Sequence, residues 1–412
     1  MILSTALLAI LLTATSHLAS AVPTVQCRQN ARSYNLPLTW NSFGFLSQIS
    51  VGTPAQKLPV FVDWTWVGQY LLTTLCHGNS NDTHDCLAPQ QPLFNQSLSS
   101  SFRNLTSQYG DLSWDPNHFF FWKPLTVDIA SDIVTVGPSS TRMIVQAADF
   151  QFDETAAPFP FAGVYGLSPV FKTDNRTTRS PFYQAWRAGD WPEPYVAFHY
   201  CYNGSVDTNK TTCGGHDGLQ TLGGYNSRLV KGGVTWYDVI QFPEVNVVDF
   251  VYNPALLEYW AVGLTQFSIG DEEQPLNTTV GSAAVFDHAS YGRGAPMSVN
   301  AYQKLINLSG ATPIKLDSPP NNGNQSWYQL DCNKTQSLPP LKYQFSGSNK
   351  VWEIIPSNYV EKLDNGVCVL NVRTLGDGDF VVGNFGETFS KDKYVIFDFE
   401  NLKVGLADLN WR

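Results

Sequence analysis

The chain has 412 residues and a formal net charge of −10, from 25 Lys+Arg against 35 Asp+Glu. Charged residues make up only 15% and aromatics reach 13%, which excludes general disorder; once an N-terminal leader is removed, about 390 residues remain, enough for one very large or two medium domains. The acidic balance and the lack of any Lys/Arg block exclude nucleic acid and anionic membrane surfaces as expected partners.

At the N-terminus, Ile2–Ala14 is a mostly apolar run followed by the small residues Ala19-Ser20-Ala21. The run is too short to span a bilayer, so residues 1–21 read as a signal peptide rather than an anchor; a buried N-terminal helix is the other reading. No later run approaches spanning length, and an exported chain without a membrane anchor is expected: secreted, or held in the lumen of the secretory or endolysosomal pathway. Ten N-x-S/T sequons agree with export and an N-glycosylated surface: Asn81, Asn95, Asn104, Asn175, Asn203, Asn209, Asn277, Asn307, Asn324 and Asn333. Of seven cysteines, near neighbours are expected to pair as Cys76–Cys86, Cys201–Cys213 and Cys332–Cys368, leaving Cys27 odd. This pairing rests on proximity alone. His77 and His84 in the first loop imitate a zinc site, but a glycosylated disulfide loop accounts for them better.

Short alternating or apolar runs broken by Gly, Pro, Asn and Ser predict strands at Phe43–Val51, Leu58–Val62, Ile133–Val136, Ala283–Phe286, Val367–Val372 and Tyr394–Phe399. Two segments predict helices. Pro181–Gly189 has a proline at its start and a glycine stop, and Ser298–Leu308 has Ser298 as N-cap. The fold class is therefore all-β with a few short helices.

The two halves repeat a pattern. Leu58–Val62 runs into Asp63, and Ala283–Phe286 runs into Asp287. The triplets Val164-Tyr165-Gly166 and Val381-Val382-Gly383 follow, with their glycines 103 and 96 positions after the respective aspartates. A buried strand ending in a carboxylate is costly unless the charge is hydrogen-bonded or used. Two such strands, each followed by the same triplet, point to related lobes that each offer one Asp to a shared cleft. A structural aspartate at each strand end is the plainer reading.

In this order and spacing the chain resembles the pepsin-like aspartic peptidases over essentially its whole mature length. Phe43–Gln56 resembles the family's opening strand and IGTPPQ turn, Phe161–Leu167 its FDGILGLG segment, and Gly223-Gly224-Tyr225 with Trp236 the stretch between lobes. Tyr259-Trp260 resembles the opening of the second lobe, and Val382–Phe385, Phe397-Asp398 and Gly405–Ala407 resemble the C-terminal strands. Tyr109-Gly110-Asp111 resembles the tip of the substrate-covering flap hairpin. The resemblance implies a bilobal β protein with a central cleft: an N-terminal lobe at 22–230 with Asp63 and the flap, and a C-terminal lobe at 231–412 with Asp287. It implies no cofactor or metal, a monomer, and a peptide or protein ligand in the cleft. Two carboxylates that close share one proton, so one acts as base on a bound water while the other, as acid, hydrogen-bonds the peptide carbonyl.

The catalytic loops depart from the family's Asp-Thr/Ser-Gly followed by Ser or Thr. Here they read Asp63-Trp64-Thr65-Trp66 and Asp287-His288-Ala289-Ser290. Trp64 and His288 replace the cross-lobe hydroxyls, Thr65 and Ala289 add a Cβ at the glycine position, and Trp66 replaces a hydroxyl that orients a carboxylate; Ser290 keeps that role. A protonated His288 would oppose the shared-proton state. Phe119-Phe120-Phe121-Trp122, past the flap tip, is either an apolar contact surface or a packed edge. Between Ala21 and Asn41 only Arg28 and Arg32 are basic, so no basic pro-segment that would plug an acidic cleft is expected. Asp287-His288-Ser290 are too close in sequence for a triad, and Gly376-Asp377-Gly378-Asp379 reads as a turn rather than a calcium site. Two expectations stand: a homologue that keeps the cleft for binding with weak or no peptide hydrolysis, and an active endopeptidase using Asp63 and Asp287.

Overall fold

A computed structural model of the chain describes residues 32–41, 44–77, 90, 92–110, 112–114, 125–151, 160–172, 177–202, 210–240, 259–276, 282–287, 294–316, 326–374 and 381–410. Strands dominate among them. Gly44–Val51 alternates buried and more open positions as a half-buried strand should. It pairs antiparallel with Gln56–Asp63, whose last four residues are all buried, so that strand is covered on both faces where it ends.

The repeat proves to be a topological one. Gln56–Asp63 pairs in parallel with Gly163–Gly166, setting Asp63 beside Gly166. Ser282–Val285 pairs in parallel with Val381–Asn384 in the same way. Each apolar-apolar-Gly triplet is thus the neighbour of the strand that carries an aspartate. Gly166 is required by close approach: a Cβ there would fall on the carbonyl oxygens of Trp66 and Gly68.

One sheet path joins the halves. Strands Lys403–Leu409 and Lys393–Asp398, from the end of the chain, lie between Val230–Asp238 and Tyr195–Tyr200. The path then continues through Gly218–Leu222 and Tyr34–Asn41 into the sheet that holds Gln56–Asp63. A second sheet is built on Ala261–Ile269 and holds Ser282–Val285. This is the bilobal all-β architecture that the resemblance implies.

Several expected boundaries shift for local reasons. Phe286 lies one residue past the end of its strand, although its N–H still reaches the Trp260 carbonyl opposite it (2.8 Å). The run at 367–372 splits into Cys368–Leu370 and Val372–Arg373, since Asn371 turns its N–H to Tyr359 and its carbonyl to the Ala295 N–H. The two expected helices form at Pro181–Arg187 and Val299–Ser309; in the second the Ser298 hydroxyl accepts from the Ala301 N–H (3.2 Å), as its cap position predicts. Disulfides join Cys201 to Cys213 and Cys332 to Cys368. Cys27, Cys86 and the Gly376–Asp379 run lie outside the described residues. Of the sequons, Asn104, Asn307 and Asn333 are exposed and Asn95 is half-buried; the other six lie outside the described residues.

The halves meet on an aromatic cluster. Trp260 stacks on Phe397 (4.6 Å between centroids) and stands edge-on to Phe399 (5.0 Å). Phe397 and Phe198 each lie 5.0 Å from the ring of Trp64. The Trp260 indole N–H donates to the Leu167 carbonyl (2.7 Å) in the first half. Replacing Trp260 by Ala should cost about 3–5 kcal/mol of unfolding free energy, and Trp260→Phe, which strands the Leu167 carbonyl but keeps the ring, about 1–3 kcal/mol. Equilibrium urea unfolding of both variants measures this; an unchanged stability in Trp260→Phe would mean that the indole hydrogen bond contributes nothing beyond packing.

Candidate active site

Asp63 ends its strand and the chain folds back over the carboxylate at once. The backbone N–H groups of Thr65 and Trp66 donate to Asp63 Oδ1 at 2.7 and 3.2 Å, an Asp-centred turn of the kind that short acidic side chains favour. The Thr65 hydroxyl donates to the same oxygen at 2.8 Å. That hydroxyl also lies 3.5 Å from Asp287 Oδ1, at the outer limit of hydrogen bonding. One protein oxygen therefore stands between the carboxylates of the two halves. Both aspartates are 3% exposed. The structure thus brings Asp63 and Asp287 to one place.

Trp64 and Trp66 point away from the carboxylates. Trp64 is fully buried in the aromatic cluster between the halves, against Phe198 and Phe397. Trp66 donates its indole N–H to Gln146 Oε1 (2.8 Å), and Gln146 in turn donates to the Thr178 hydroxyl (3.2 Å). Its ring stands edge-on to Tyr70. Both indoles are anchored in packing at positions where the family carries hydroxyls.

A backbone relay connects the two aspartate loops. The Asp63 carbonyl accepts from the Leu167 N–H (2.8 Å), and the Leu167 carbonyl accepts from the Trp260 indole. The Trp260 carbonyl accepts from the N–H of Phe286, the residue before Asp287. Sequence reasoning missed this role of Trp260, and it missed Gln146, Thr178 and the hydroxyl of Thr65. The only signal for them was the pair of tryptophans itself, because two large indoles must find cavities and a partner for each N–H.

Tyr109 ends the short helix Thr106–Tyr109 and is 46% exposed, and Gly110 follows at φ +79°. The hairpin strands here are Leu112–Trp114 and Leu125–Val136, which pair antiparallel. Tyr109 precedes the hairpin because the segment starting at Thr106 winds into a helical turn, anchored by the Thr106 hydroxyl on Asp128 Oδ1 (2.9 Å). Asp111, the aromatic run Phe119–Trp122, and His288, Ala289 and Ser290 lie outside the described residues. His199 sits beside the sulfurs of Cys201 and Cys213, but both are spent in the disulfide, so this trio is no open metal site.

An all-β protein with two related lobes and one strand-end aspartate from each has the architecture of an aspartic-type protease. The chain belongs to the eukaryotic aspartyl protease family, whose pattern matches residues 44–409. It is 55% identical over 401 residues to the aspartic protease-like protein pynH of Aspergillus niger, covering 95% of this chain and 96% of that one. It is 51% identical over 400 residues to the aspartic protease-like protein pytH of Aspergillus terreus, covering 93% and 94%. The secreted aspartic protease LUC8 of a Fusarium species is 31% identical over 412 residues, 92% of each chain.

Burial pushes the Asp63 carboxyl above the ordinary value of 3.8, outweighing the Thr65 N–H, the Thr65 hydroxyl and the Trp66 N–H, which all favour the anion. A carboxyl with a raised folded-state value binds more protons folded than unfolded. Its ionisation costs stability as the pH rises from the unfolded value through the raised one, and the cost is absent at lower pH. Asp63→Asn should therefore gain stability relative to the wild type on going from about pH 3 to about pH 7. Urea unfolding of both proteins at the two pH values checks this, and a difference that does not change with pH would contradict it.

Proposed function

We propose that this chain is an exported, monomeric pepsin-like aspartic protease homologue that keeps the inter-lobe cleft to bind a peptide or protein ligand, with hydrolysis weak or absent. The observation that carries this reading is the commitment of Trp64 and Trp66 to buried packing. In the first loop, the positions where the family carries orienting hydroxyls hold indoles turned into the core instead. Catalysis by such a pair depends on groups held within about half an ångström of the productive geometry. The names of the Aspergillus relatives, protease-like, agree with this reading, and the name of the Fusarium relative agrees with secretion. Among the described residues no helix is long and apolar enough to cross a membrane.

One observation favours the other reading, an active endopeptidase in which Asp63 and Asp287 activate a water. The two carboxylates are both buried and close enough to approach a single hydroxyl, the setting in which a carboxylate pair shares a proton.

Turnover of unfolded globin from about pH 3 to about pH 7, compared between the wild type and Asp287→Asn, separates the readings. The binding reading expects both at background rate across the range. A wild-type rate more than about tenfold above the variant, with an acidic optimum, would establish the endopeptidase.

A further inference from the structure

Weak or absent hydrolysis has a cause in the geometry of Thr65, an inference that rests on the binding reading. Hydrolysis by a carboxylate pair needs a water held by both groups, deprotonated by one as it attacks the carbonyl. Among the described residues, Thr65 Oγ1 lies within reach of both Asp63 Oδ1 (2.8 Å) and Asp287 Oδ1 (3.5 Å). We infer that the Thr65 hydroxyl stands where the attacking water would bind, making Thr65 a built-in inhibitor of its own cleft.

Three features hold the hydroxyl there. The N–H of Thr65 donates to the oxygen that its hydroxyl binds, so backbone and side chain are tied to Asp63 together. Thr65 is β-branched, and its χ1 has few alternatives. The flanking residues Trp64 and Trp66 are anchored in the core and on Gln146, so the loop cannot swing away without dragging two buried indoles. The hydroxyl also suits the electrostatics of the pair. It has one proton, which goes to Asp63, and lone pairs that accept from Asp287 when that carboxyl carries the shared proton. A water has two protons and is free to leave with the product; a threonine hydroxyl is not.

The Cβ and its substituents occupy space that glycine leaves open in the family's motif. Removing them frees room for a water, which needs roughly 30 Å³. Thr65→Gly and Thr65→Ala are therefore the releasing variants, and Thr65→Ser is the variant that keeps the oxygen. The probe is a peptide isostere bearing a secondary hydroxyl at the scissile position, because that hydroxyl must enter the same spot. Its affinity is measured by titration calorimetry, beside thermal melting to establish folding and the globin assay to follow turnover.

Isostere affinity should rise at least about 100-fold in Thr65→Gly and Thr65→Ala, while Thr65→Ser continues to exclude it. Any globin turnover gained by Thr65→Gly should disappear when Asp287→Asn is added. Folded releasing variants that bind the isostere no tighter than the wild type would overturn this inference while leaving an inert wild type, and so the binding reading, intact. Turnover by the wild type itself would overturn both. A covalent acyl adduct on Thr65, detected by mass spectrometry, would also overturn it, since the hydroxyl would then be a nucleophile rather than a stopper. Should both releasing variants fail to fold, a crystal structure of the wild type decides: a water between the carboxylates with the Thr65 hydroxyl turned away contradicts the inference, and the hydroxyl in place supports it.

Discussion

The geometry of the cleft depends on one buried indole. Trp260 comes from the second half, donates into the loop after the first half's triplet, and accepts from the residue before Asp287. Each carboxylate is thereby referenced to the other through hydrogen-bonded backbone and a single aromatic side chain. The stacking of Trp260 on Phe397, and the edge-on contact of Phe397 with Trp64, surround that relay with apolar surface. Hydrogen bonds so enclosed are costly to break, because a stranded carbonyl finds no water to replace its partner.

This arrangement exchanges one way of registering two lobes for another. A hydroxyl grip positions loops through short directional bonds and leaves the space around the carboxylates open. An aromatic wedge positions them by volume and removes small polar groups from the loop. Trp64 contributes packing between the halves, and Trp66 contributes a buried chain from its indole through Gln146 to Thr178. Both support the stability of the first loop, and neither orients a reacting group. The remaining hydroxyl, on Thr65, is brought to the carboxylates by the turn that the two tryptophans flank.

How far the sequence discloses this differs by feature. The strands leading into Asp63 and Asp287, and the triplets that pair with them, are legible because burial on both faces demands continuous apolar runs, and a charge at their end stands out. The Ser298 cap is legible because a short hydroxyl side chain before a helix has one main use. The direction of Thr65 is not. Its neighbours decide it, since the turn closes on Asp63 only once Trp64 and Trp66 have found their sites in the folded core. Tyr109 misleads for a related reason. The Tyr-Gly-Asp string is short enough to occur before a hairpin as well as at its turn, and the bond from Thr106 to Asp128 fixes which. The indole relay was invisible because it uses backbone carbonyls, which every residue has.

The order of strands in the shared sheet also has a consequence for biogenesis. Lys393–Asp398 inserts beside Tyr195–Tyr200, so the first half cannot close its sheet until that later strand has been made. At roughly 5–20 residues per second, the chain trails an unpaired edge through the export machinery for on the order of ten to forty seconds while the intervening segment is synthesised. Such an edge is a template for association with other chains.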